Sequence, residues 1–141
     1  MTNSALVNGF TSEEIIVLYK YMCWFEKIKS LTTDKSLYQQ YPYQRRFWDD
    51  FKKCSLSTRK VKEMPKTYQK QPNNNLIYTL SAKTKQLSFL RHLRNSIAHG
   101  VIETDSKVIV IRDYSQRAKK CTCMGNLNKS LLMKFLQNQV S

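Results

Sequence analysis

The stretch from Ile15 to Ile28 carries Ile15, Ile16, Val17, Leu18, Tyr19, Tyr21, Met22, Trp24, Phe25 and Ile28. At helical spacing these side chains cover most of the circumference instead of one stripe. A helix apolar on nearly every side must be covered on nearly every side. The segment therefore predicts a helix from about Ser12 to Ser30 that is central in its domain or also supports a subunit interface. Thr11 caps its start and Glu14 reaches back to complete a capping box. The run does not span a membrane: Lys20 interrupts it, and Ile15 to Phe25 is far short of about 20 apolar residues. Met1 to Glu14 lacks the basic n-region of a secretory signal, so a reducing cytoplasm is the expected compartment.

The remaining composition narrows the fold. The chain has 141 residues, with three Gly and three Pro. That is room for one compact domain, 1–141, with few tight turns, which disfavours a β-sandwich or barrel and favours helices. Lys and Arg number 24 against 10 acids, a formal charge of +14, while 41% of residues are hydrophobic. A disordered basic tail is excluded by that apolar content. A charge of this size on a folded body points to a polyanionic partner, nucleic acid first. Between Arg45 and Lys70, nine basic residues face three acids, either a solvated surface or, as the whole-chain charge favours, one that attracts phosphate. Cys23, Cys54, Cys121 and Cys123 read as free, buried thiols. The Cys121-x-Cys123 pair matches no common zinc spacing, so no metal and no cofactor is expected.

Asp34 to about Lys62 is rich in aromatics and base, with Tyr38, Tyr41, Phe47, Trp48, Phe51 and Leu56 as candidate core residues. Pro42 breaks this region or opens a helix running to Lys53. Met64 to Asn75, with Pro65, Pro72 and three consecutive Asn, reads as a loop. A long helix is expected from Asn73–Asn75 to His99, ending at Gly100. Val101 to Glu103 and Lys107 to Arg112, around Thr104-Asp105-Ser106, signal a hairpin, with Ala118 to Met124 as a third short strand. Asn126 to Asn128 caps a last helix through about Gln139, striped by Leu127, Leu131, Leu132, Phe135 and Leu136. The expected class is mainly α: an up-and-down helical bundle with a small β-hairpin before the C-terminal helix.

The informative segment is Leu90 to Gly100. On a helix at roughly 100° per residue, Leu87, Leu90, Leu93 and Ile97 share the core arc, and Arg94 lies at its margin. Asn95 and His99 share the opposite side. A guanidinium beside a core is costly unless it meets an anion or an acceptor. His99 is the type of residue that moves protons near neutral pH. Five residues place Arg94 and His99 about 140° apart, so one straight helix does not bring both to one phosphate. Two antiparallel copies do, which favours a homodimer with a composite site. Alternatively, Arg and His near a helix end serve only the macrodipole and the cap. His92 reads as a surface residue without a partner.

Arg94-Asn95-Ser96-Ile97-Ala98-His99 resembles the Arg-(polar)-x3-His signature of the HEPN superfamily, whose members are helical and often nucleases. The hairpin and terminal helix are similar to those of bacterial HEPN families linked to toxin–antitoxin and phage-defence systems. The resemblance implies a metal-independent endoribonuclease, a homodimeric toxin or defence effector with RNA as substrate and an antitoxin protein as a further partner. In that scheme His99 handles the proton of the 2′-hydroxyl or of the leaving 5′-oxygen, Arg94 holds the phosphate and Asn95 orients the site. A HEPN subgroup controlled by nucleotidyltransferase antitoxins carries Tyr two residues after the His. Here that position is Val101, which argues against that mode of control. The alternative from another class is a non-catalytic, basic, nucleic-acid-binding helical protein. A HEPN-like scaffold that binds a nucleotide or protein without chemistry is a third.

Overall fold

The computed structural model describes residues 8–28, 49, 51–82 and 84–140. Its elements are α1 (Ser12–Ile28), β1 (Ser55–Arg59), a single 3-10 turn (Val61–Glu63), β2 (Asn75–Thr79), α2 (Lys85–Ala98), β3 (Glu103–Thr104), β4 (Val108–Ser115), β5 (Lys120–Asn128) and α3 (Lys129–Val140). The strands form one sheet in the order β1-β2-β5-β4-β3. The β1–β2 pair is parallel and the other pairs are antiparallel. Among the described residues, three helices on a five-stranded mixed sheet overturn the expectation of a mainly α bundle.

The error has two physical sources. β1, Ser-Leu-Ser-Thr-Arg, is a polar sheet edge with little hydrophobic alternation to reveal it. β2, with Leu76-Ile77-Tyr78-Thr79, occupies residues that helical periodicity assigned to the long helix. That helix instead starts after Thr84, whose hydroxyl accepts from the Leu87 N–H at 3.1 Å. The expected hairpin, third strand and last helix are present, and Asn128 caps the last helix through Leu131 N–H at 3.0 Å. The Thr11–Glu14 capping box is also present, with bonds of 2.9 and 3.2 Å. The expected helix from Pro42 to Lys53 falls mostly outside the described residues.

α2 packs on β2 and β4, α3 packs on β4 and β5, and α1 lies across both helices. The main core sits between these layers, with Leu90, Ile109, Ile111, Leu127, Leu132 and Leu136 fully enclosed. Phe51 closes it, with its ring centroid 5.3 Å from Phe89 and 5.1 Å from Phe135, contacts worth about 0.5–1.5 kcal/mol each beyond their buried area. α1 is not covered on every side within one chain, so it is not the central helix of the first alternative: Leu18, Tyr21, Trp24 and Phe25 face inward, while Ile16 and Tyr19 are 53% and 63% exposed.

The opposite face of the sheet is covered by the loop of residues 64–74. Met64, Cys121 and Met124 form a second small core there, with Tyr68 and Ile77 against it. Lys120 Nζ donates to the Met64 carbonyl at 2.7 Å, and Asn126 Nδ2 reaches the Gln71 and Pro72 carbonyls. β5 is thus buried on both faces from Cys121 to Leu127. Gly125, at φ +151°, permits this: a Cβ there collides with the backbone of Asn75 and Leu76 on β2.

Candidate functional site

α2 lies between the sheet and α1, and its two lateral faces hold different chemistry. Toward the sheet runs a polar stripe, Ser88, His92 and Ser96, each 2% exposed or less. Small hydroxyls at i and i+8 let the helix approach closely and satisfy neighbouring backbone. Ser88 Oγ accepts from the Ser81 and Ala82 N–H groups, both at 3.0 Å, and Ser96 Oγ accepts from Arg112 N–H at 3.3 Å. His92, between them, is buried, which corrects its reading as a surface residue. Its Nε2 lies 2.7 Å from the Thr79 carbonyl and its Nδ1 2.9 Å from Asp113 Oδ2. A carbonyl only accepts, so Nε2 carries a hydrogen, and Nδ1 shares a proton with the carboxylate.

Asp113 joins this stripe to the Arg94 motif. Its Oδ2 also accepts from Asn95 Nδ2 at 3.0 Å, and its Oδ1 from Tyr114 N–H at 2.9 Å. Burial pushes the carboxyl up, but the hydrogen bonds from His92 and Asn95 and the His92 charge outweigh it. The carboxyl is held below its ordinary range. Asn95 Oδ1 in turn accepts from Arg94 Nη1 at 3.0 Å. One chain of contacts therefore runs from the Thr79 carbonyl through His92, Asp113 and Asn95 to the Arg94 guanidinium.

Arg94 faces α1. Its Nη2 meets Glu26 Oε1 at 3.0 Å, with the two side chains 31% and 39% exposed. Its Nε is buried without a partner among the described residues. Glu26, Arg91, Arg94 and Asn95 line a groove of about 310 Å³ between α1 and α2. A guanidinium exposed at one edge of the groove and fixed by one carboxylate and one amide is a suitable receiver for an oxyanion.

His99 stands apart. It is the C-cap of α2, followed by Gly100 in the left-handed conformation at φ +67°. Val101 N–H bonds the Ser96 carbonyl at 3.1 Å and Gly100 N–H the Ile97 carbonyl at 3.0 Å, the two bonds of a Schellman motif. The backbone of His99 is thereby fixed while its side chain is exposed, with no hydrogen bond or ion pair among the described residues. Within one chain the structure joins Arg94 to Asn95 and leaves His99 without a contact to either.

Compared with known protein families, residues 15–141 match the family described as HEPN pEK499 p136. The chain belongs to that HEPN family. No curated protein and no solved structure matches it. Membership covers nearly the whole chain, including the Arg94–His99 motif and the strands that the helical reading omitted.

Two residues of this cluster, Asp113 and Glu26, lie outside the motif, and a third, His92, was misread. Asp113 had a signal: in β4 the alternation Ile109, Ile111, Asp113 continues the inward-facing set. His92 had one too, at i+4 between two serines in a helix whose other inward positions are apolar. Glu26 had none, because its role depends on how α1 crosses α2. Among the described residues no three His, Cys, Asp or Glu side chains gather into a metal-holding group. Cys121 and Cys123 are buried, and Cys121 Sγ donates to the Cys123 carbonyl at 3.3 Å. Burial raises both thiols, while Cys23 is exposed. No helix among the described residues is long and apolar enough to cross a membrane.

Proposed function

We propose that this HEPN chain is an endoribonuclease, a toxin or defence effector that works as a homodimer and needs no metal for bond cleavage. The observation that carries this reading is the pairing of an exposed imidazole on a rigid helix cap with a guanidinium held in an open groove five residues earlier. Family membership and the charge of +14 support a phosphodiester substrate.

In the proposed reaction the ribose 2′-oxygen attacks the adjacent phosphorus and the bond from phosphorus to the 5′-oxygen breaks. The 2′-hydroxyl gives up its proton and the leaving 5′-oxygen takes one up. His99 serves one of these transfers, an effect of about 10²–10⁴-fold. Arg94 binds the non-bridging oxygens, an incoming phosphate displacing the Glu26 carboxylate from Nη2. Asn95, tied to Asp113, keeps the guanidinium from following the phosphate. The product end is a 2′,3′-cyclic phosphate or its hydrolysed form. Because Arg94 and His99 diverge on one helix, the proposal takes Arg94 from one subunit and His99 from its partner.

A second reading is favoured by one observation, the Arg94–Glu26 ion pair, which gives the guanidinium a structural occupation. It makes the chain a basic nucleic-acid binder without chemistry. Incubating RNA in EDTA with the wild type, His99→Ala and Arg94→Ala separates the two. Cleavage by the wild type alone, with all three proteins folded and of equal oligomeric state, is expected. Cleavage by His99→Ala at the wild-type rate rejects the assignment, and salt-dependent binding with no cleavage by any of the three establishes the binder.

A further inference from the structure

Directly beyond His99 the chain enters the wall of a second cavity, of about 320 Å³, whose lining includes Gly100, Val101, Tyr68, Glu103, Arg112 and Tyr114. It lies on the other side of Asp113 from the Arg94 groove, and Asp113 borders it. Three features distinguish it from a surface dent. The Arg112 guanidinium lies over the Tyr68 ring, 5.1 Å from the centroid. Arg112 Nη2 is fixed by Glu103 Oε1 at 2.8 Å, so the stacked plane is braced at its edge. Finally, Tyr114 and Val101, 43% and 37% exposed, put apolar surface on the lining that no described residue covers.

Planar cationic and aromatic surfaces around a small cavity select a flat, polarisable ligand. Unpaired nucleobases are such ligands, since every base stacks on tyrosine rings and on arginine planes. Glu103 adds an acceptor at the edge of the platform, where a base presents N–H donors. The volume falls at the lower end of the range that encloses a small ligand, sufficient for one base and too small for a duplex. Val101 and Gly100 tie the cavity to the cap that fixes His99.

We infer that this cavity binds one unpaired base of the RNA strand, next to the phosphodiester presented to His99. The inference rests on the ribonuclease reading for its ligand but makes its own demand on binding. Tyr114 and Arg112 set which nucleotide flanks the cut, and they hold it whether or not chemistry occurs.

The test uses the full chain carrying His99→Ala, so that binding is measured without cleavage. Single-stranded RNA hexamers, each with one abasic position, and free nucleoside 5′-monophosphates are titrated by fluorescence anisotropy or calorimetry. Tyr114→Ala is expected to weaken binding of the intact hexamer about tenfold, and to have no effect on the hexamer whose abasic site removes the seated base. Arg112→Lys, which keeps the charge and loses the plane, is expected to act in the same way. An equal loss on every abasic hexamer, or no loss on any, overturns the base pocket. A monophosphate that binds as tightly as the hexamer overturns the strand assignment. Should the wild type fail to cleave while the abasic pattern holds, the nuclease reading falls and the pocket stands. Should cleavage persist with Tyr114→Ala at unchanged rate and base preference, the pocket falls and the nuclease stands.

Discussion

Asp113→Asn changes one atom in a side chain that is 5% exposed, and the surrounding distances set the cost. The two carboxylate oxygens take three hydrogen bonds: from His92 Nδ1 at 2.9 Å, Asn95 Nδ2 at 3.0 Å and Tyr114 N–H at 2.9 Å. Asparagine has one oxygen. Turned to His92 and Asn95, it sets its NH2 against the Tyr114 N–H; turned the other way, it sets it against both side chains. At least one partly buried donor then loses its acceptor, a cost of about 1–3 kcal/mol. The bonds that survive lose their charge assistance, roughly half their strength. The expected loss is about 3 kcal/mol near neutral pH, or about two decades in the unfolding equilibrium.

Urea unfolding of both proteins, followed by circular dichroism between pH 7 and pH 3, measures this loss. The Asp113 carboxyl is held below its ordinary value of 3.8, so its ionised form contributes fully above that pH in the folded state. The contribution disappears as pH falls through the lower folded-state value. The gap between the two proteins therefore narrows as pH falls below about 4. A gap under about 1 kcal/mol at pH 7, or one that widens as pH falls below about 4, refutes the role given to Asp113.

Two further substitutions probe neighbouring claims. Glu26→Gln removes the carboxylate that holds Arg94 at 3.0 Å; the pair is about a third exposed and partly screened by solvent, so stability falls by about 1 kcal/mol. RNA affinity is expected to rise and its logarithmic salt slope to steepen by about one, and unchanged affinity across a sodium chloride series contradicts the phosphate role of Arg94. Gly100→Ala meets no atom within 4 Å, so its cost is the left-handed backbone alone, about 1 kcal/mol. Thermal melts should show a drop of a few degrees, partly recovered by Gly100→Asn, and no drop at all speaks against the fixed His99 cap.

Three helix ends, the starts of α1 and α3 and the end of α2, were legible because capping is local chemistry, whereas the Thr84 cap that opens α2 was missed. Thr11, Glu14, Asn128 and Gly100 act on backbone within four residues, so their spacing carries the whole signal. The hairpin strand β4 was legible for the same reason, its β-branched run being its own proof. β1 and β2 were not. A polar strand such as Ser55–Arg59 is a strand because β2 lies beside it, and β2 is one because it bonds to both β1 and β5. The site divides in the same way. Arg94, Asn95 and His99 are visible as a six-residue motif, whereas the Glu26 contact spans 68 residues of chain and the Asp113 contact 18.

By itself the sequence determined the charge, the caps at Thr11, Gly100 and Asn128 and the motif, since each depends on composition or on residues about a turn apart. Only the tertiary structure decided that α2 is clamped between a sheet and α1. That placement buried His92 and gave Arg94 its carboxylate. It left His99 facing solvent, because which side of a helix meets water is settled by the elements packed around it.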